Sequence, residues 1–420
     1  MTVSAPLSGR RKLSAGEIEM ILTAHDKLIS GRPGGKRASL KFIDLTKVRL
    51  AGRNLADADF SGSILDGADL SNCNLERANL FGCDLRNANL KFAKLARADM
   101  RGVCLRGANL SQADLTQTDF RVGQIAIPHP SKGLASMSHE ARHGELDNAN
   151  FRGATLDGSR FNDASLYACD FTDCSLKGAT LIGANLKDAN LSGAILDGAD
   201  VSGANLAGAN LSYASISGVA IERARTSEGA NLSGALKAPS DSAVGRMKDL
   251  LLMAKSNAIW CQTGGKDGRP AQFDREDLRP LGKLLTGLRL TAMSAKAAVM
   301  VGIDLSGVHL QGANLEGADL RGAILRGADM RGARLAGANL TKADLRDALL
   351  APLPLTVSSE RASSLDHTCL RYAVAHGADL SGAILDDADM RGCDITGANL
   401  TSASLRRVEM DGTIGYGQAA

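Results

Sequence analysis

The sequence predicts an all-β solenoid, in which the chain winds through short stacked coils around a narrow apolar core. Three observations lead to this prediction. Aromatic residues make up 3% of the 420 residues although 44% are hydrophobic, so large aromatic anchors cannot build the core. Large apolar residues recur at every fifth position, and a small residue stands two places before most of them. A period of five matches neither the two-residue period of a strand nor the 3.6-residue period of a helix.

The five-residue period extends over most of the chain. Four runs of Leu, Phe, Met, Ile or Val at this spacing hold fifty positions, in residues 40–120, 146–221, 305–350 and 380–410. Residues 279–304 keep a similar phase and are expected to form degenerate coils. Self-similarity on this scale is typical of a repeat architecture.

Each position within a repeat has its own residue type. The small residue is mostly Ala or Cys, the next is mostly Asn or Asp, and Gly is common two places after the large residue. We expect the large and small residues to point inward, the Asn or Asp to brace the corner, and Gly to relieve the turn. Arg53 occupies a small inward position, so strain or an open coil is expected there.

The repeats, such as Gly67-Ala68-Asp69-Leu70 and Gly312-Ala313-Asn314-Leu315, resemble those of the pentapeptide-repeat family. The resemblance implies a right-handed quadrilateral β-helix with four pentapeptides in each coil. Twenty residues per coil would place Phe151 above Phe171, with Phe161 across the core.

Two tandem modules, each with an N-terminal capping α-helix, are predicted. Ser14 and Glu17 form a capping box before an amphipathic stretch, and a cap would protect the exposed end of a solenoid. The arrangement recurs at a constant offset of 233 residues, after a second predicted helix from Val244 to Cys261. The expected organisation is a disordered N-terminus (1–13), a first capped solenoid (14–236), a linker (237–241), a second capped solenoid (242–412) and a tail (413–420).

Two segments interrupt the repeat. Residues 121–145 break the register and contain two prolines, so they predict a projecting loop. The second interruption, about 351–375, keeps the register, and either a loop or a degenerate coil is compatible with it. Its two prolines and Ser-rich centre favour a loop.

No catalytic, metal or cofactor site is predicted, and we expect the protein not to be an enzyme. His139-Glu140-Ala141-Arg142-His143 matches the HExxH zinc motif, but Gly144 would end any helix that carried it. An exposed polar loop is the favoured interpretation. Five of the eight cysteines fill small inward positions, where Cys acts as a small apolar residue: Cys73, Cys83, Cys169, Cys174 and Cys393.

Charge separates the functions that the resemblance implies. Some pentapeptide-repeat proteins mimic DNA and modulate a type II topoisomerase, DNA gyrase, or confer quinolone resistance, which requires a strongly negative face. Here the net charges of residues 40–120, 146–236, 285–350 and 376–420 are +1, −4, +2 and −4. The charge is mixed, so DNA mimicry with gyrase as partner is the alternative rather than the favoured function. Direct nucleic-acid binding is not expected, because basic residues are dispersed along the chain. No apolar run spans a membrane and no secretory signal is evident, so a cytoplasmic location is expected.

A rigid, non-enzymatic scaffold for an unidentified protein partner is the function that the sequence favours. The coils repeat nearly one surface, whereas residues 121–145 differ from them, and recognition usually resides in loops on a rigid framework. An insertion without any role is the alternative that this pattern leaves open. The candidate partner-binding residues are Ile125, Ile127, His129, Leu134, Met137, His139 and His143.

Overall fold

The computed structural model describes residues 10–129, 133–356 and 359–416 and divides into two compact units, Met1–Lys237 and Ala238–Ala420. Regular elements are few, because the coils are linked by single-residue β-bridges rather than by long strands. The strands are β1 (Arg11–Lys12), β2 (Ile43–Asp44), β3 (Gly123–His129), β4 (Gly133–Arg142), β5 (Leu353–Thr356) and β6 (Ser359–Arg361). The helices are α1 (Ala15–Ile29), α2 (Asp241–Gly245) and α3 (Met247–Gln262), with 3-10 turns at Ile221–Arg223 and Arg279–Leu281.

The coils have the twenty-residue period expected of four pentapeptides. Parallel bridges join Ser39, Asp44, Arg49 and Asn54 to Asp59, Ile64, Asp69 and Asn74 in the next coil. At each bridge the backbone bonds run both ways, as where the Leu40 amide donates to the Asp59 carbonyl at 2.7 Å and the Asp59 amide donates to the Ala38 carbonyl at 3.0 Å. Each interior coil is therefore hydrogen-bonded to the coils before and after it.

The predicted inward register is confirmed by burial and by the aromatic stack. Both the large and the small residues of the interior coils are almost completely buried. The rings of Phe151 and Phe171 stack with centroids 4.8 Å apart, and Phe161 meets Phe171 edge-on at 6.4 Å. Phe161 also stacks on Phe120 at 4.7 Å, across the first interruption.

The corners are built as the sequence predicts. At one corner, the Asp69 carboxylate accepts a hydrogen bond from the Ser71 amide at 3.2 Å. The second residue after the large one lies in the left-handed region, with φ of 64° at Gly62 and 57° at Asn72. Gly and Asn tolerate this conformation better than other residues, which explains their frequency at that position.

Residues 221–223 explain why the strict five-residue count ends at Ile221. The 3-10 turn adds one residue, so Asn205 pairs with Thr226 at a spacing of 21. The coil then continues to Leu236, which pairs with Ser215. A single added residue conceals a further coil from a count of exact spacing.

The expectation of strain or an open coil at Arg53 is wrong. The coil stays closed, because the Asn74 amide donates to the Arg53 carbonyl at 3.0 Å. The side chain leaves the core and reaches α1, where its guanidinium lies 2.9 Å from Glu19 and 3.7 Å from Asp26. The small position in the first coil is bordered by the helix rather than by another coil, so a long side chain can leave there.

The second interruption is shorter than predicted. Only β5 and β6 leave the coil as a hairpin, and the coil resumes at Ser364, which pairs with both Arg334 and Ile384. Part of the Ser-rich stretch belongs to the coil, because Ser363 and the following Thr368 are buried and their hydroxyls donate to carbonyls of the preceding coil. Ser363 donates to Met330 at 3.2 Å, and Thr368 donates to Leu335 at 3.0 Å.

The predicted ends are also more ordered than expected. Residues 11–12 of the expected disordered N-terminus form β1, which pairs in parallel with β2 and covers one edge of the first coil. At the expected tail, Ile414 pairs with Asp394, and Thr413 donates to the Met390 carbonyl at 2.9 Å because its small side chain fits an inward position. Residues 1–9 and 417–420 lie outside the described residues.

Helix α1 in the first unit and helix α3 in the second each contact the first coil of their unit. The capping box is present, since the Glu17 amide donates to Ser14 Oγ at 3.2 Å and the Ser14 amide donates to the Glu17 carboxylate at 2.8 Å. The second predicted helix, 244–261, is in fact divided at Arg246 into α2 and α3, and α2 begins at Asp241, within the predicted linker. Ser240 causes this early start by accepting the Ala243 amide at 3.2 Å.

One buried polar side chain joins each helix to its coil, a feature that the sequence analysis missed. The Ala38 amide donates to His25 Nδ1 at 3.2 Å, and the Ala271 amide donates to Asn257 Oδ1 at 2.9 Å. The 233-residue offset places Ala38 and Ala271 at equivalent positions, so the signal was a polar residue on the apolar face of each helix. His25 and Asn257 are completely buried.

Candidate partner-binding surface

The segment predicted as a projecting loop is a β-hairpin. Strands β3 and β4 are antiparallel, with Gly123 opposite Arg142 and Ile125 opposite Glu140. The coil resumes at Glu145, whose carbonyl accepts the Leu105 amide at 2.7 Å. Cys104 and Glu145 are 41 residues apart instead of 20, so the hairpin adds 21 residues to one coil.

The structure places the predicted site residues on both strands of this hairpin. Ile125, Ile127 and His129 belong to β3, and Leu134, Met137 and His139 belong to β4. The side chains of these six, and residues 130–132 as a whole, lie outside the described residues. His143 follows β4, is exposed, and has Nδ1 3.1 Å from the Asp163 carbonyl oxygen.

The HExxH motif lies on a strand rather than on a helix. Its residues 139–142 are the last four of β4, and His143 lies beyond the strand end. A zinc site of that class needs both histidines on one helical face. Among the residues whose positions are described, no group of three His, Cys, Asp or Glu side chains is arranged to hold a metal ion.

Close backbone contacts seat the base of the hairpin on the coil. A Cβ at Gly123 would lie 3.0 Å from the Phe81 ring and 3.1 Å from the Arg101 backbone. Gly102, with φ of 63°, would place a Cβ 3.3 Å from the Arg142 carbonyl and 3.3 Å from Gly123 Cα. A side chain at either glycine would therefore push the hairpin away from the coil.

A shallow depression of about 500 Å³ adjoins the start of the hairpin. Its lining includes three arginines and two aspartates, and each of them contacts a neighbouring polar side chain. The Arg97 Nε donates to Gln117 at 3.1 Å, and Arg101 lies 2.7 Å from Asp99. Asp119 lies 2.8 Å from Arg121, at the hairpin start, and 3.8 Å from Arg160. With Arg121 included, the region carries four cations and two anions.

The repeat pairs many of its own aspartates with arginine. Where Asp precedes the large residue and Arg follows it, the guanidinium holds both carboxylate oxygens, as Arg101 Nε and Nη2 hold Asp99 at 2.9 and 2.7 Å. This hydrogen bond is the main cause that raises the pKa of Arg101. Eight such pairs occur among the described residues: Asp84–Arg86, Asp99–Arg101, Asp119–Arg121, Asp277–Arg279, Asp319–Arg321, Asp329–Arg331, Asp344–Arg346 and Asp389–Arg391.

The inward cysteines are buried, as predicted, and are chemically quiet. Cys73 and Cys83 donate from Sγ to the carbonyls of Leu50 and Phe60, at 2.8 and 3.0 Å. Burial raises the pKa of Cys73 to about 11 and that of Cys83 to about 12. A thiol acts as a nucleophile or metal ligand only as the thiolate, which the raised pKa disfavours. These side chains therefore occupy space in the core and have no chemical role.

None of the helices in the described residues is long and apolar enough to cross a membrane. The exposed surface of the coils carries polar and charged side chains at repeated positions, including the Asp–Arg pairs. The hairpin is therefore the part of the first unit that differs most from the repeat.

Comparison with solved structures returns other coiled chains at low similarity. QnrB1, a plasmid-mediated fluoroquinolone resistance protein, is 19% identical, with a TM-score of 0.36 over 50% of this chain and 91% of its own. HetL of Nostoc sp., a pentapeptide-repeat protein involved in regulating heterocyst differentiation, is 22% identical, with a TM-score of 0.18 over 97% of this chain and 100% of its own. Rfr23 of Cyanothece, also a pentapeptide-repeat protein, is 27% identical, with a TM-score of 0.16 over 33% and 86%. No curated protein matches the chain.

Sequence profiles of the pentapeptide repeat match several long segments of this chain. A profile of eight pentapeptide repeats matches residues 43–82, 83–121, 184–220, 295–327, 313–350, 362–397 and 376–412, and one of nine repeats matches 146–190. These matches cover more than half of the chain, and they coincide with the coils that carry the twenty-residue bridges. The fold is accordingly a right-handed β-helix, and the chain belongs to the pentapeptide-repeat family.

Proposed function

We propose that the protein is a non-enzymatic interaction scaffold and that the hairpin of β3 and β4 is its main partner-binding element. The observation that carries the proposal is the close packing of the base of this hairpin against the coil. It is a non-repeating element held by close contacts at Gly102 and Gly123 on coils that are hydrogen-bonded on both sides. A recognition element on such a support loses little conformational entropy when it binds.

The charge beside the hairpin favours an acidic partner surface. Four arginines and two aspartates at the depression leave two uncompensated positive charges. Complementary charge raises the rate of association and is screened by salt. We expect partner binding to weaken as the salt concentration rises.

DNA mimicry with gyrase as the partner remains the alternative function. It requires a continuous negative face, and the eight Asp–Arg pairs neutralise aspartates that would contribute to one. A gyrase supercoiling assay separates the two functions. Inhibition or quinolone protection at sub-micromolar protein would favour the alternative.

The test of the scaffold is a deletion designed to leave the coil in register. Removing residues 123–143 leaves Arg121, Val122, Gly144 and Glu145 between Phe120 and Leu146, which restores the four-residue spacing of the repeat. Removing residues 353–362 is the matched control, because it also restores this spacing, between Leu350 and Leu365. Both variants should keep the β-rich circular dichroism spectrum.

The two deletions should differ in partner capture. In a pulldown from native lysate, read by mass spectrometry, the first deletion should lose partners that the intact protein and the control retain. If the first variant captures the same partners with the same affinity, the binding surface is a coil face and the hairpin has no role in binding.

We also propose that α1 and α3 cap two modules, close to the predicted ranges 14–236 and 242–412. The contacts of His25 and Asn257 with the first coils support this assignment. Fragments 1–237 and 238–420, which keep the Ser240 cap with α2, should each fold cooperatively. Aggregation of either fragment would argue that the two units need each other.

A further inference from the structure

An open groove, here called the cap groove, lies between α1 and the start of the first coil of the first unit. It has a volume of about 390 Å³, and its apolar lining comes from Leu13, Met20, Ile21 and Ala24. Met20 is 72% exposed although it is a large apolar residue. A single exposed apolar side chain is ordinary, but several that line one groove are typical of a binding surface.

The cap groove also borders an unpaired backbone edge of the first coil. Ser39, which lines it, is exposed and is bridged to Asp59 in the next coil, but to no described residue on its other side. The equivalent residue of an interior coil is bridged on both sides, as Asp59 is to Ser39 and Asn79. Strand β1 closes the edge at Asp44, one corner further on. An open strand edge is a template for pairing with another chain.

The rim of the cap groove is basic. Its lining contains Arg11, Lys36 and Arg37 and a single acidic residue, Glu17. Glu17 is held by Arg11 and by the Ser14 amide, so it compensates one of the three positive charges. Lys36 and Arg37 are exposed and form no salt bridge with a described residue. Two positive charges therefore remain at the rim.

The carboxylates near the rim are already engaged with other arginines. Asp57 interacts electrostatically with Arg37, but its two oxygens accept from Arg77 Nε at 2.8 Å and from Arg77 Nη2 at 2.6 Å. Two further carboxylates, on α1, lie against Arg53. Each of these acids has a cation of its own, so the excess positive charge at the cap groove remains available to a ligand.

We propose that the cap groove binds an extended acidic segment of a partner protein, which adds to the first coil as one further strand at Ser39. An apolar side chain of the segment would lie on Met20 and Ile21, and its carboxylates would face Lys36 and Arg37. In strand addition of this kind, main-chain hydrogen bonds supply affinity and side-chain pockets supply specificity. Complementary charge adds to the rate of association and to the choice of partner.

Two other occupants have less support. Residues 1–9 of this chain contain no Asp or Glu, so they lack the charge that the rim favours. The hairpin of β3 and β4 contributes no residue to the lining of the cap groove. The cap groove is therefore a second surface, separate from the one proposed above for the partner of the scaffold.

The test is selection of a displayed library of random peptides on the immobilised full-length protein at low ionic strength. Peptides that carry carboxylates on both sides of an apolar residue should be enriched. The most enriched peptide, synthesised with a fluorescent label, should bind with a saturable change in anisotropy that weakens as salt is added. Lys36→Glu and Met20→Ser should each weaken its binding by about tenfold or more, through charge repulsion and through loss of apolar contact.

The matched controls are Lys27→Glu and Leu28→Ser. Both residues lie on α1, are exposed and do not line the cap groove, and Lys27→Glu changes the net charge as Lys36→Glu does. The controls, and the variant without residues 123–143, should bind the peptide as the intact protein does. Melting temperatures check the fold of every variant.

Three results would overturn the proposal. The first is that no acidic peptide is enriched, or that Lys36→Glu and Lys27→Glu bind the enriched peptide equally well. The second is loss of binding when residues 123–143 are removed, which would place the peptide on the hairpin. The third is much tighter binding when residues 1–9 are removed, which would assign the cap groove to that segment of the chain.

Discussion

The first coil of each unit lies against a helix, whereas an interior coil lies between two other coils. In interior coils the small inward position holds an uncharged side chain, mostly Ala and at some coils Cys, Ser, Thr or a larger apolar residue such as Val103, and Ala184 there is completely buried. In the first coil of unit 1 the same kind of position holds Arg53, whose guanidinium reaches Glu19 on α1. The inward register is thus a strict packing requirement only where another coil covers the position.

The two helix-covered coils also differ from each other. His25 and Asn257 accept equivalent backbone amides, and Asn257 also donates to the Thr291 carbonyl at 3.1 Å. His25 can also gain a proton, and Asn257 cannot. The same structural role therefore depends on pH in the first unit and not in the second.

The largest expected effect comes from moving the arginine of the first coil to an interior position. Ala184→Arg buries an unpaired charge where the slot accommodates one methyl group, and it should destabilise the first unit by about 5 kcal/mol or more. Denaturant unfolding and the soluble yield measure the loss. Lys187→Ala, on the exposed surface of the same coil, is the control and should change little. A well-folded Ala184→Arg protein would contradict the inward assignment.

Asn257→Leu should have the next largest effect. It leaves the Ala271 amide and the Thr291 carbonyl without their side-chain partner, and each unsatisfied buried group costs about 1–3 kcal/mol. Denaturant unfolding of the protein, followed by a probe in the second unit such as Trp260 fluorescence, measures this loss. A stability equal to that of the intact protein would show that water or a shifted coil replaces Asn257.

His25→Asn should remove a pH dependence rather than a large share of stability. Burial is the main cause that lowers the pKa of His25, and it outweighs the opposing effects of Asp26, of a hydrogen bond with the Ala56 backbone and of Asp57. The unfolded chain therefore takes up the proton first, and stability is complete above about pH 6.5 and falls as the pH drops below it. Acceptance of the Ala38 amide at Nδ1 likewise requires the unprotonated nitrogen.

The measurement is the melting temperature of both proteins between pH 7.5 and pH 5. This window lies above the ordinary carboxylate range near pH 4, so aspartates contribute little to the change. The intact protein should lose more thermal stability across the window than His25→Asn does. Parallel curves would mean that the imidazole is protonated and tolerated in the folded state.

Arg53→Ala should have the smallest effect. The ion pairs with Glu19 and Asp26 are partly exposed, and such pairs contribute less than about 1 kcal/mol. Added salt should reduce the difference between the two proteins in thermal unfolding, because it screens exposed charges. A loss as large as that of Asn257→Leu would indicate that Arg53 also packs through its aliphatic stem.

The sequence by itself determined the features that repeat. One side chain in five must fill the core, and one corner residue in five must adopt a left-handed backbone, so both leave a periodic record. The register, the stack of Phe151 on Phe171 and the Ser14 capping box could be predicted for this reason.

The tertiary structure decided the features that occur once. Hairpin pairing between β3 and β4, the exit of Arg53 toward α1, and the Ser363 and Thr368 bonds depend on what lies opposite a residue in the next coil or helix. A local period contains no information about such distant neighbours, because they are brought together only when the coils stack.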